Sequence, residues 1–280
     1  MQAIKRILVV IDPTQQDQLA LNRARLIAGF IDSELHLLIC DDRGDHQRTL
    51  DQQCAELKAA GIPATSSQAW HGSMTDTVIQ VLGSKGCGLV IKQHLPDKPL
   101  KKALLTPDDW KLLRYCPAPV LLVKTTASWI KGNVLAAVDV GNHDDQHRVL
   151  HDTIVSHAAD IVDMIGGELH LVSAHPADPI YQLRENIANR YREEAQRYAI
   201  AHGLDMEHMH VDEGPADTLI PKVARHIGAS VTVIGTVARK GIAGALIGNT
   251  AEVILDQLES DILVLKPEDT LAHLENILQR

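Results

Sequence analysis

The sequence predicts an α/β protein made of two tandem, doubly wound, five-stranded parallel-sheet domains. Three observations carry that expectation. The chain repeats itself in order, each copy alternates short apolar runs with amphipathic stretches, and 280 residues suit two domains of about 140. RILVVID (Arg6 to Asp12) returns as NVLAAVD (Asn133 to Asp139), and ELHL at Glu34 returns at Glu168. The run from Asp76 matches that from Asp217, and PVLLVK (Pro119 to Lys124) matches DILVLK (Asp261 to Lys266). Four matches in one order, at offsets of 127 to 142 residues, describe a duplicated domain and not a short solenoid repeat. The expected boundaries are 1–127, 131–270 and a C-terminal helix at 271–280, with Thr125 to Gly132 as linker. In that helix Leu271, Leu274 and Ile277 share a face that can dock on the other half.

The second copy shows the pattern most clearly. A strand at 133–139 ends at an aspartate. A helix from Gln146 to Ile165 follows, its apolar face assigned to Val149, Leu150, Thr153, Ile154 and Ala158, and Gly166-Gly167 stops it. A strand at 168–174 leads to a polar helix from Leu183 to Ala201. Then come a strand near 206–211, a helix near 215–227, a strand at 230–235, a helix near 248–258 and a strand at 261–266. Short apolar strands alternating with helices form a parallel sheet covered on both faces. Such sheets bind ligands beyond the strand carboxyl ends, where the strand order reverses. That places Asp139, Ser173 to His175 and the segment after Gly235 under scrutiny.

The segment from Gly235 reads GTVARKGIAGALIGNTAEV. Glycine at 235 permits a sharp turn and close approach of a ligand. Gly248, Asn249 and Thr250 open a helix whose first N–H groups have no intrahelical acceptor, a natural place for phosphate, and Asn249 is a good cap. Arg239 and Lys240 add positive charge. The same residues also fit a plain Gly/Ala-rich connector with an ordinary cap.

Across essentially its whole length, in both copies, the chain resembles a tandem universal stress protein. The family's nucleotide motif is G-x2-G-x9-G-[ST] after strand 4. Here Gly235 and Gly248 stand at its first and last glycines, Ala238 at the middle one and Asn249 at the Ser/Thr, followed by Thr250. The resemblance implies that Asp139 contacts adenine and that Val172, Ser173 and Ala174 line the base pocket. It further implies that Gly235 faces the ribose while Ala238, Gly248, Asn249 and Thr250 surround the phosphates. The methyl of Ala238 and the missing Ser/Thr hydroxyl weaken the motif, although the Asn249 amide still donates. The resemblance also implies pairing of the two halves through strand 5 as a pseudo-dimer, and further association into a homodimer.

The first copy departs further. Its segment KQHLPDKPLKKALLTPDDWKLLR puts Lys92 in place of the first glycine, with Leu105 and Thr106 near the last Gly-[ST]. Lys92, Lys98, Lys101 and Lys102 read as solvated surface charge, and Asp12 reads equally as a helix N-terminal acid or a ligand contact. The first half is therefore expected to have lost nucleotide binding. Net charge is −9, made of +2 for residues 1–130 and −11 for 131–280. The acidic half and an aromatic content of 3% argue against nucleic acid. No apolar run reaches the ~20 residues of a membrane span, and no leader precedes the first strand, so a cytoplasmic location is expected. Cys40, Cys54, Cys87 and Cys116 form no C-x-x-C and read as reduced packing residues.

The remaining constellations are weaker. His143, His147 and His151 lie along one helix face and read as a polar stripe facing solvent, so no metal is expected. His36 and His170 occupy equivalent places and suggest a shared packing or hydrogen-bond role. No catalytic set stands out, and the S-G-G-x-D loop of ATP-pyrophosphatases is missing from 12–17 and 139–145. The chain is thus expected to be no enzyme but a stress-response protein binding ATP, ADP or AMP in its second half. The alternatives are a weak ATPase or phosphotransferase, and a carrier of an amphipathic or acyl-bearing ligand lined by Ile180, Tyr181, Ile242, Leu246 and Ile247.

Overall fold

The computed structural model describes residues 1–94, 105–142, 144–177, 181–236, 249–268, 270–272 and 274, without the side chains of 146, 181, 182, 184 and 249–252. The chain divides into two compact units. One is Met1–Thr126 together with Asp269–Arg280, and the other is Ala127–Glu268. Leu274 of the C-terminal segment is buried. Among the described residues, no helix is long and apolar enough to cross a membrane.

In the first unit the order is β1 (Arg6–Val10), α1 (Leu19–Ile31), β2 (Glu34–Cys40), α2 (Gln47–Ala59), β3 (Ala64–Ala69), α3 (Met74–Lys85), β4 (Leu89–Gln93), α4 (Pro107–Tyr115) and β5 (Val120–Val123). The second unit repeats it with β6 (Asn133–Ala137), α5 (Asp145–Ile165), β7 (Glu168–His175), α6 (Tyr181–His202), β8 (Met209–Glu213), α7 (Ala216–His226), β9 (Ala229–Gly235), α8 (Asn249–Gln257) and β10 (Asp261–Leu265). The first sheet runs β3-β2-β1-β4-β5 and the second β8-β7-β6-β9-β10, with every pairing within a unit parallel. β5 and β10 are buried at every residue, and β1 and β6 at all but the first. Consecutive buried residues mean that both sheet faces are covered by the crossover helices, which is why these strands read as continuous apolar runs.

Two expectations need correction. Val149 points outward, 51% exposed, whereas Leu150, Ile154, Val155, Ala158, Ile161 and Ile165 make the buried stripe of α5. At about 100° per residue, the stripe drawn through Leu150 and Ile154 leaves Val149 on its outer flank. The strand anticipated near 206–211 begins as a single 3-10 turn at Met206–His208, closed by the His208 N–H to the Asp205 carbonyl (3.0 Å), and only then becomes β8.

The cysteines are free thiols, Cys54, Cys87 and Cys116 buried and Cys40 partly so. Burial pushes the Cys40 and Cys87 thiols up, to about 12 and about 11, so they stay protonated and packed.

Trp129, near the start of the second unit, is fully buried, and its indole N–H donates to Asp261 Oδ2 at 2.7 Å. Asp261 is itself wholly enclosed at the head of β10. Replacing the donor leaves a buried carboxylate short of a hydrogen bond. Trp129→Phe is therefore expected to lower stability by about 2 kcal/mol, read as a reduced urea midpoint at unchanged m-value.

Candidate functional site

Both units reverse strand order at one place, between β1 and β4 in the first and between β6 and β9 in the second. Adjacent crossovers leave in opposite directions there, which opens a crevice beyond the strand carboxyl ends. In the second unit Asp139 lies two residues past β6, and β9 ends at Gly235. α8 begins at Asn249.

Asp139 folds back into an Asx turn, its Oδ1 accepting the Gly141 N–H at 3.2 Å, and the Tyr191 hydroxyl donates to the same oxygen at 3.3 Å. The Asp139 N–H donates to His151 Nε2 at 3.3 Å, and the Val140 N–H to Ser173 Oγ at 3.2 Å. Ser173 is buried, and the Val172 carbonyl accepts the Val138 N–H (3.0 Å), so both hold the β6–β7 junction together. Ala174 is partly exposed, one residue nearer the strand end. Ala238, Arg239, Lys240 and Gly248 lie outside the described residues, as do Ile180, Ile242, Leu246 and Ile247. Asn249 and Thr250 are described only as backbone of α8, and Tyr181 as backbone of α6.

The packing around this end gives two residues unanticipated roles. A Cβ on Gly235 would lie 2.6 Å from Leu150 Cδ2 and 2.9 Å from Ile154 Cδ1, so this glycine lets α5 close onto β9. His151 is buried, not part of a solvent-facing stripe, because its turn of α5 faces the end of β6. Burial lowers its pKa, in keeping with a neutral ring that accepts from the backbone. His147 is partly exposed beside Asp144, and His143 lies outside the described residues.

Tyr191 was not singled out by sequence reasoning. Its ring packs on Gly141, where an added Cβ would lie 2.2 Å from Cζ, and it sits 5.4 Å from the His175 ring. Burial, then Asp139, raises the Tyr191 pKa, so the hydroxyl remains a donor. A signal existed: Tyr191, Ala195 and Ala199, spaced four apart, are the buried ones among the described side chains of a largely polar helix.

The same end of the first unit is built differently. Register pairs Val10 with Lys92 and Gln93 with Val123, against Ala137 with Ile234 and Gly235 with Leu265. Gln93, not Lys92, therefore takes the place of Gly235, since strand pairing sets the equivalence. Gln93 Oε1 accepts the Leu19 N–H at the start of α1 (2.7 Å). Lys92 is not solvated charge, because its ammonium donates to Asp109 Oδ1 at 2.7 Å. Asp109 is 0% exposed, and its Oδ2 also takes the His94 Nδ1–H (2.8 Å) and the Thr106 N–H and hydroxyl (2.9 and 2.7 Å). Thr106 and Asp109 complete a capping box on α4. Burial opposes ionisation of Asp109, but the His94 hydrogen bond and the Lys92 charge outweigh it and hold the carboxyl well below the usual range. Lys98, Lys101 and Lys102 lie outside the described residues. Asp12 spends Oδ1 on the Thr14 N–H and hydroxyl, at 2.9 and 2.6 Å.

Comparisons with known proteins agree with this architecture. A model of the Universal stress protein family matches residues 132–266. Universal stress protein E of Escherichia coli (strain K12) is 33% identical over 302 residues, spanning 96% of each chain. A solved structure of a putative universal stress protein from Pseudomonas aeruginosa superposes with a TM-score of 0.94 at 54% identity, covering 100% of this chain and 99% of that one. A universal stress protein from Archaeoglobus fulgidus, at 18% identity and a TM-score of 0.67 over 93% of this chain and 98% of its own, shares the fold.

Two outcomes follow from the packing at these strand ends. Asp109→Ala strands Lys92 and His94 in a buried site and is expected to cost about 3–5 kcal/mol in urea unfolding. The Asp109 carboxyl is depressed in the folded state, so its stabilisation is present above the unfolded value near 4 and is lost as pH falls below it. The variant should accordingly show a shallower loss of stability between about pH 4 and pH 2. Gly141→Ala must displace the Tyr191 ring, with an expected cost of about 1–3 kcal/mol and an altered tyrosine environment in near-ultraviolet circular dichroism.

Proposed function

Since the chain belongs to the universal stress protein family, whose members are stress-response proteins, we propose that it binds an adenine nucleotide at the carboxyl end of the second sheet, between β6 and β9. The observation that carries this reading is the contrast between the two switch points. In the first unit Gln93, Lys92, His94 and Asp109 lock into one another and into the start of α1. Register, and chain length counted back from the equivalent Pro119 and Asp261, put Gly235, Ile234, Thr236 and Ala251 at those four places in the second. Uncharged residues there supply neither the internal cation nor the carboxylate that would repel phosphate. The helix that follows opens with Asn249 and Thr250 behind Gly248, a backbone suited to phosphate oxygens.

Asp139 supports recognition of the base. An ionised carboxylate only accepts hydrogen bonds, and its Oδ2 has no hydrogen bond among the described residues, leaving it for the exocyclic amino group of adenine. Arg239 and Lys240 are the cations near enough in sequence to balance phosphate within an acidic half. In this reading the nucleotide is bound and not turned over.

Calorimetric titration of the full chain with ATP, ADP and AMP tests the proposal. Heat at one site per chain is expected, together with no multiple-turnover release of phosphate. Asp139→Ala should weaken binding about 10- to 100-fold, the value of a hydrogen bond to a charged group, while Asp12→Ala leaves it unchanged. Absence of heat with all three nucleotides would sink the reading. So would equal losses from the two aspartate variants.

A further inference from the structure

The opposite end of the second sheet carries a side-chain cluster that the nucleotide reading does not use. Glu168 and His170 sit at the amino end of β7, two residues apart and so on one face. His208 ends the 3-10 turn, and His210 lies on β8 opposite Val172. Glu168, His170 and His208 each offer one ligand atom, all within 4.8 Å of one another. His170 Nε2 lies 3.9 Å and His208 Nε2 4.0 Å from Glu168 Oε2, and the two rings are 4.5 Å apart.

His170 is 8% exposed, and its Nε2 has no hydrogen-bond partner. At 3.9 Å the Glu168 oxygen is too far to be one. The other ring nitrogen, Nδ1, is engaged at 3.2 Å by His210 Nε2. If Nδ1 carries the proton and donates to His210, Nε2 presents a bare lone pair to the cluster. That is how a metal-ligating imidazole is normally held, its second nitrogen donating to an outer partner.

The first unit shows the same place in a fully satisfied form. His36 occupies the position of His170, and its two nitrogens meet Thr65 Oγ1 (2.8 Å) and Ser67 Oγ (2.9 Å). Hydroxyls both donate and accept, so they serve either tautomer. Glu34, the counterpart of Glu168, is neutralised by Arg6 at 2.6 Å. In the second copy both hydroxyls become imidazoles, and register puts Asn133 where Arg6 stood. The Asn133 amide donates instead to the Ile227 carbonyl. The duplication thus exchanged a closed hydrogen-bond set for a carboxylate, two convergent imidazole nitrogens and a third imidazole behind them.

We propose that Glu168, His170 and His208 bind one divalent transition-metal cation of the zinc type, with His210 orienting His170 from behind. Two imidazoles and a carboxylate suit zinc better than the hard cations, which prefer all-oxygen sets. Tetrahedral zinc with bonds of about 2.0–2.1 Å separates its ligands by about 3.4 Å. The two Glu168–histidine separations, 3.9 and 4.0 Å, need to close by about half an ångström, and all three ligand atoms already lie within 4.8 Å of one another. Glu168 is exposed and His208 partly so, leaving a fourth position for water.

Zinc chloride competed against a chromophoric chelator, using the full chain, tests the site. One equivalent is expected to bind, and His208→Gln or Glu168→Gln should weaken it at least 100-fold. His147→Gln, on α5, should not change it. In the wild-type protein zinc should move the Nε2 nitrogen resonances of His170 and His208 and leave those of His36 in place, a readout that does not depend on how any variant folds. Failure to bind one equivalent overturns the proposal. Undiminished binding by both ligand variants, or resonance changes confined to other histidines, does the same. None of these readouts involves nucleotide, so this site stands or falls apart from the one at the carboxyl end.

Discussion

A parallel strand cannot pair with its neighbour until the chain has crossed back over the sheet, and that requirement governs this protein. The crossovers lay helices on both faces of each sheet, so strand residues are enclosed one after another and have no face to offer a ligand. Chemistry is left with the two ends of the strands. At the carboxyl ends the reversal of strand order parts the connections and opens a crevice between β1 and β4, and again between β6 and β9. At the amino ends, side chains of one strand meet those of the turn that leads into its neighbour, as Glu168, His170 and His208 do.

Two copies of one scaffold have used these ends in opposite ways. The first unit fills its crevice from within, where the enclosed Asp109 carboxylate gathers Lys92, His94 and the start of α4. Such a buried pair is strongly destabilising to break. Its amino end is equally closed, with His36 between two hydroxyls and Glu34 against Arg6. The second unit keeps unengaged polar atoms at both ends among its described residues. Asp139 is braced by Gly141, Tyr191 and His151 but keeps one oxygen unengaged among the described residues, and His170 keeps one nitrogen without a donor or acceptor. The charge split follows the same division, with +2 in the half that supplies its own counterions and −11 in the half that does not.

Much of this was legible in the linear sequence because apolar runs and their spacing are local quantities. The repeat, the alternation of strands and helices along the chain and the aspartates that follow β1 and β6 are written in residues that neighbour one another. Less legible was any role that depends on what crosses a residue. Gly235 gains a packing role once α5 is seen to press Leu150 and Ile154 against it. Lys92 reads as surface charge until Asp109, seventeen residues on, is brought beside it by α4. Tyr191 lies 52 residues from the Asp139 carboxylate it touches, and no periodicity in α6 announces that partner.

By itself, the sequence determined the duplicated α/β architecture and the kinship it implies, since hydrophobic periodicity and order along the chain suffice for these. Only the tertiary structure decided which polar groups are already spent. Parallel register and crossover packing bring residues tens of positions apart into hydrogen-bond reach, and a buried group's reactivity depends on whether that partner is there. The equivalence of Gln93 with Gly235, the closure of Asp109 and the exchange of Thr65 and Ser67 for His208 and His210 emerge only when strands are laid side by side.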